Sequence, residues 1–181
     1  MNEMPILGSD NVDKIYLARC LNELKRWGAP LSNWHCDEIV DVREDDYEAS
    51  LSECDLCGCD RVRYEHHMSH IEFPFPVVVG CICAGIMEGD ILKAKERERL
   101  IRNRSKRKRH FVEKPWCPTP QGGGYVRQYK KHDIYIDPRG ETYRVYVDGG
   151  QIDRYKGKPI TNLLAATYAA FNAVDPEVKC L

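Results

Sequence analysis

The chain has 181 residues, 43% of them hydrophobic and 30% charged, with a formal net charge of −1. That length and apolar share suit one generous globular domain or two small ones with a true core. No window approaches the roughly 18 to 20 apolar residues of a membrane span, and Glu3, Pro5 and Asp10 break the basic-then-apolar order of an export signal, so a cytoplasmic protein without a membrane partner is expected.

The near-zero charge conceals an asymmetry. Residues 1–53 carry 5 Lys/Arg and 12 Asp/Glu, a charge of −7, whereas residues 93–109 carry 10 Lys/Arg and 2 Asp/Glu, a charge of +8. The two regions either pair internally or the basic one faces a polyanion. The nine cysteines are an odd number and five fall between residues 54 and 83, which fits reduced thiols and a metal better than a disulfide scaffold.

The first predicted element is a helix over residues 10–27, capped by Asp10, in which Leu17, Cys20, Leu21, Leu24 and Trp27 recur at helical spacing. Gly28 at the C′ position and Pro30 beyond it end the ladder. The stripe reads as core. Cys20 within it therefore reads as apolar filler and Cys180 as an incidental thiol, while Cys36 and Cys117 stay open between filler and metal recruit. Residues 38–43 alternate apolar and charged and predict a short strand, followed by an acidic turn at Glu44-Asp45-Asp46 that lacks EF-hand spacing and reads as solvated.

Residues 52–90 hold the clearest motif. In Cys54-Asp55-Leu56-Cys57-Gly58 two thiolates can grip one face of an ion while Gly58 takes positive φ at a sharp turn, and a second pair, Cys81-x-Cys83, follows after one hairpin's length. Between them, residues 61–70 predict a strand with Tyr64, His66, Met68 and His70 on one face. The segment Phe73-Pro74-Phe75-Pro76 reads as a bend, Val77-Val78-Val79 as the return strand and Gly80 as a tight turn, with a helix beginning near Ala84. Zn2+ takes four soft or imidazole ligands in a tetrahedron. The expected set is Cys54, Cys57, Cys81 and Cys83, with His66 or His70 as alternates for Cys81 because a Cys-x-Cys gap is tighter than usual, and Cys59 as a further candidate.

The strings Cys54-x-x-Cys57-Gly58, Arg63-Tyr64-x-His66-x-Met68-x-His70 and Val79-Gly80-Cys81-x-Cys83-Ala84 resemble uncharacterised zinc-knuckle proteins of bacterial and phage genomes, over residues 50–90 alone. The resemblance implies a zinc-stabilised module of treble-clef type that contacts nucleic acid or protein, and it supplies no reaction. His-Asn-His nucleases build their metal site on a similar scaffold, and Glu65-His66-His67 matches the start of their motif. After Cys83 the run Ala84-Gly85-Ile86-Met87-Glu88 lacks the Asn and the later His or Lys that they require.

A charged helix is predicted over residues 90–110, with Ile91, Leu92, Ala94, Leu100 and Ile101 as its packing residues. Pro115, Pro118, Pro120 and Gly122-Gly123-Gly124 then read as a linker over 112–124, dividing a region 1–111 from a region 125–181. The latter shows a β-β-β-α pattern: strands over 125–130, 133–137 and 142–148, turns at Asp137-Pro138-Arg139-Gly140 and Asp148-Gly149-Gly150, and a helix over 161–174. With Ile134, Ile136, Val145 and Val147 toward that helix, Tyr135, Arg144 and Tyr146 project from the opposite side, with Arg127 and Arg139 nearby. This order is similar in topology alone to three-stranded DNA-binding domains of plant ethylene-response factors and phage integrases.

The expected architecture is thus α+β: a zinc-bound treble-clef-like module joined by a basic helix to a small β-β-β-α domain. The expected function is non-catalytic binding of DNA or RNA, with phosphate contacts from Arg102, Arg104, Lys106, Arg107, Lys108, Arg109, Arg127 and Arg144. The alternatives are a metal-dependent nuclease using His66, His67 or His70, and an adaptor whose cationic helix docks on a protein.

Overall fold

The computed structural model describes residues 12–177. The chain divides into two compact units between Asn103 and Arg104. In the first, helix α1 (Lys14–Arg26) is capped by Asp13, whose carboxylate accepts from the Ile15 N–H at 3.0 Å. Asp10, the cap expected from sequence, lies outside the described residues, as does Cys180. The helix ends as Gly28 and Pro30 foretell: Gly28 sits at φ 66°, its N–H reaches the Lys25 carbonyl at 3.0 Å, and the Ala29 N–H reaches Leu24 at 2.9 Å. These two bonds satisfy carbonyls that the helix end would otherwise orphan.

Strands β1 (His35–Asp41), β2 (Tyr64–His70) and β3 (Phe73–Val79) form an antiparallel sheet in that order. Along β2 the alternation places Tyr64, His66 and Met68 on the buried face. Strand β3 runs through the residues read as a bend. It tolerates Pro74 and Pro76 because it lies at the sheet edge, where a missing N–H breaks no ladder. The Val78 N–H on this strand is bound by the Asp55 carboxylate at 2.6 Å, and the Asp55 N–H returns to the Val78 carbonyl at 2.9 Å.

From β3 the chain turns at Gly80 directly into α2 (Cys81–Glu88), which therefore begins at Cys81 rather than near Ala84. Gly89, at φ 82°, closes α2, and α3 (Ile91–Glu113) follows. The two helices cross closely at Gly85: a Cβ there would stand 2.5 Å from the Ile91 Cα. Leu24, Trp34, Met68, Val79, Met87 and Ala94 fill the core between these elements.

The second unit takes α3 from Arg104 onward. Strands β4 (Cys117–Pro118), β5 (Tyr125–Tyr129), β6 (His132–Arg139), β7 (Thr142–Val147) and β8 (Gly150–Ile152) form a five-stranded antiparallel sheet in chain order. A two-stranded ribbon, β9 (Arg154–Tyr155) and β10 (Lys158–Pro159), leads to α4 (Leu163–Val174), whose cap Asn162 accepts from the Ala165 N–H at 2.8 Å. Ile134, Ile136 and Val145 pack against Ala166, Ala170 and Phe171 of α4 and against Phe111 of α3. The mixed α+β composition is as expected, but the sheet exceeds three strands. Strands β4 and β8 are too short to leave an alternating pattern in the sequence. Of residues 112–124, the first two end α3 and Cys117–Pro118 pair with β5.

Candidate metal centre

The knuckle forms through local hydrogen bonds: the Gly58 N–H returns to the Cys54 carbonyl and the Cys54 N–H to the Cys59 carbonyl, both at 2.8 Å, with Gly58 at φ 69°. The Cys54 sulfur accepts from the Gly80 N–H at 3.5 Å, tying the knuckle to the start of α2. One turn into that helix, Cys83 points back at the knuckle. The Cys54, Cys57 and Cys83 sulfurs all lie within 4.8 Å of one another. Sulfurs bound at about 2.3 Å around a tetrahedral ion stand about 3.8 Å apart, so this trio closes on one ion with shifts of roughly an ångström.

Outside this trio, Cys20 of α1 is wholly buried, and the Cys83 thiol acts to lower its thiol. One turn earlier on the same helix face, the Tyr16 hydroxyl stands 2.9 Å from the Cys83 sulfur. The Cys54 thiol is lowered to about 5, because the Cys83 thiol and the Gly80 and Cys57 N–H groups donate to its sulfur and outweigh burial. Cys83 is pushed up by its contacts with Cys20 and Cys54 and by burial. A divalent ion bound by this cluster would replace the thiol protons.

Cys81 stands elsewhere. The sequence placed it beside Cys83, but both lie on α2, where two residues of a 3.6-residue turn swing side chains apart by about 200°. Its sulfur falls instead in a second cluster with His66 of β2 and Glu98 of α3, again with all ligand atoms within 4.8 Å. Burial pushes the Cys81 thiol up to about 12, and the neighbouring Glu98 carboxylate adds to the effect.

The other histidines do not converge on either cluster. His67, on the opposite face of β2, pairs with Glu65 at 3.1 Å, and the His70 ring packs against Trp34 with centroids 5.5 Å apart. Cys59 and Cys117 are exposed, and Cys36 is buried against His66.

The cations expected to meet phosphate are largely committed within the fold. Arg104, 5% exposed, donates to the carbonyls of Asp175 and Pro176 and, at 2.7 Å, to Asn172, satisfying the end of α4. Arg107 forks onto the Asp175 carboxylate at 2.6 and 2.9 Å. Lys108, 1% exposed, sits over the Tyr168 ring at 4.7 Å. Arg102 pairs with Glu98, and Arg109 with Glu113. Arg127 faces the core side of its sheet, donating to the Phe111 and Lys114 carbonyls above the Trp116 ring. Lys106 and Arg144 are exposed.

Arg144 lies on the sheet face turned away from α4, with Tyr135 and Tyr146. Strand register aligns Cys117, Val126, Tyr135, Tyr146 and Gln151 across all five strands, and the two tyrosine rings stack with centroids 5.9 Å apart. Gly124 makes room for this row, since a Cβ there would stand 2.5 Å from the Tyr135 ring.

Among the described residues no helix is long and apolar enough to cross a membrane. The described residues carry two candidate metal-ligand clusters in an α+β fold, one of three cysteines and one of mixed donors. No protein-family model, curated protein or solved structure matches the chain.

Proposed function

We propose that the protein is a zinc-stabilised nucleic-acid-binding protein. Cys54, Cys57, Cys83 and Cys20 hold one Zn2+ in a closed, all-sulfur site, and the Tyr16 hydroxyl donates to the Cys83 thiolate. A complete tetrahedron of thiolates leaves no position for substrate, so this ion serves the fold.

Nucleic acid then binds on the open face of the five-stranded sheet rather than along α3. The observation that carries this reading is the Tyr135–Tyr146 stack beside exposed Arg144, set against the internal engagement of Arg104, Arg107 and Lys108. A flat face of aromatic rings with a flanking guanidinium accepts unpaired bases by stacking, which selects single strands over a duplex.

The test is binding of fluorescent single-stranded DNA and RNA across a salt series. Affinity should fall as salt rises. Replacing Tyr135 by Ala removes one stacking partner, worth about 1–3 kcal/mol or roughly 5- to 140-fold in Kd. Equal binding by wild type and a Tyr135→Ala, Arg144→Ala double variant refutes the proposal.

A further inference from the structure

We infer that His66, Cys81 and Glu98 form a second divalent-metal site, an exchangeable one of imidazole, thiolate and carboxylate donors, separate from the all-sulfur centre. The three residues come from three elements, β2, the first turn of α2 and α3, and converge in the first unit. The His66 Nε2 and Glu98 Oε2 stand 3.5 Å apart. Nitrogen and oxygen bound to one tetrahedral ion at about 2.0–2.1 Å stand about 3.3 Å apart, so this edge already has the size that an ion requires.

The surroundings orient each donor. On its other side the wholly buried His66 ring turns Nδ1 toward the Cys36 sulfur at 4.0 Å, while the Cys36 thiol donates to the Glu38 carbonyl at 3.5 Å. Cys36 and Glu98 thus flank the two ring nitrogens of His66, with Nε2 turned toward the Glu98 carboxylate. The Glu98 carboxylate is divided in the same sense: Oε1 accepts from Arg102, and Oε2 faces His66. Such outer partners are the usual means by which a protein fixes ligand tautomer and orientation. An imidazole nitrogen, a carboxylate oxygen and a sulfur confined together can share a cation in place of the protons that otherwise link them.

The donor set also fixes the character of the site. Three protein ligands leave a tetrahedral ion one position for solvent, in contrast to the thiolate centre, and mixed N, S and O donors suit Zn2+ and its substitute Co2+. The divergence of Cys81 and Cys83 along α2 explains why a Cys-x-Cys pair occurs at all: it supplies one sulfur to each of two ions. The ion at the mixed site should leave first, because one coordination position is already held by exchangeable water.

The experiment measures metal content of the purified full chain by elemental analysis, before and after brief treatment with the chelating dye 4-(2-pyridylazo)resorcinol. Two equivalents of zinc are expected, with one released quickly and the far-UV circular dichroism unchanged. Glu98→Gln and, separately, Cys81→Ser should each carry one equivalent. Both should retain the intense thiolate-to-cobalt charge-transfer absorption of the all-sulfur centre after Co2+ substitution, a signal that also reports whether that centre has survived. One equivalent in the unaltered chain, or two equivalents kept by both variants, overturns the inference.

Discussion

Replacing Cys20 by Ala separates a ligand from a filler. If the wholly buried thiol only fills space, its loss removes about one methylene's worth of buried surface and leaves a small cavity, costing roughly 1–2 kcal/mol equally with and without metal. If it is the fourth ligand, the cost falls on the zinc-bound state. Structural zinc sites contribute roughly 10–16 kcal/mol, so one ligand in four carries about 3 kcal/mol, or an affinity loss of more than about 100-fold. The measurement is a competition titration against a chelating dye, paired with urea unfolding of zinc-loaded and metal-stripped protein. Cys20→Ala should weaken zinc at the tight site and lower stability chiefly in the loaded form. Cys81→Ser, which alters the neighbouring cluster, should leave the tight site's affinity unchanged. An affinity for Cys20→Ala within about threefold of the unaltered chain, with equal destabilisation of both forms, refutes the assignment.

Three further outcomes follow from the packing. Burial acts to raise the Asp175 carboxyl, but the hydrogen bonds and charges of Arg107 and Lys130 hold it below its usual 3.8. Its contribution is therefore fully present above the unfolded value of about 3.9 and fades as pH falls through the lower folded value; Asp175→Asn should cost about 1–3 kcal/mol at neutral pH and flatten the acid limb of a Tm-against-pH curve. Gly85→Ala drives a methyl to 2.5 Å from the Ile91 Cα and should destabilise by about 1–3 kcal/mol in urea unfolding, more than a propensity gain can offset. Stripping metal with a strong chelator should abolish amide-exchange protection in β1, β2 and β3 while β5, β6 and β7 keep theirs, because the sulfur cluster lies within the first unit and the second has its own apolar core.

The local parts of this molecule were legible in its sequence because local chemistry determines them. Gly28 and Pro30 end α1, and the Cys54-x-x-Cys57-Gly58 knuckle is built by bonds spanning a few residues. What lay hidden depends on distant partners. Cys20 sits in an apolar stripe that looks like core, and the ligand role proposed for it depends on how α1 lies against the start of α2; Tyr16, one turn before it on the same face, is a polar hint within that stripe. Cys81 and Cys83 read as a pair when the helix is expected to begin near Ala84. Starting that helix at Cys81 sends them in different directions. The cationic run of α3 gave no sign that Arg104 and Arg107 would be claimed by Asp175, about 70 residues further along.

The border of the first sheet has a bearing on how this chain meets other copies of itself. An unpaired strand invites recruitment of another backbone, the route to runaway self-association. Here Pro74 and Pro76 offer no amide hydrogen, and that of Val78 is already taken by Asp55 inside the Cys54–Cys57 loop. The loop proposed to hold the ion thus also shields the β3 flank of the sheet, and on that proposal loss of zinc should expose the protein to fibrillar or amorphous clumping as well as to unfolding.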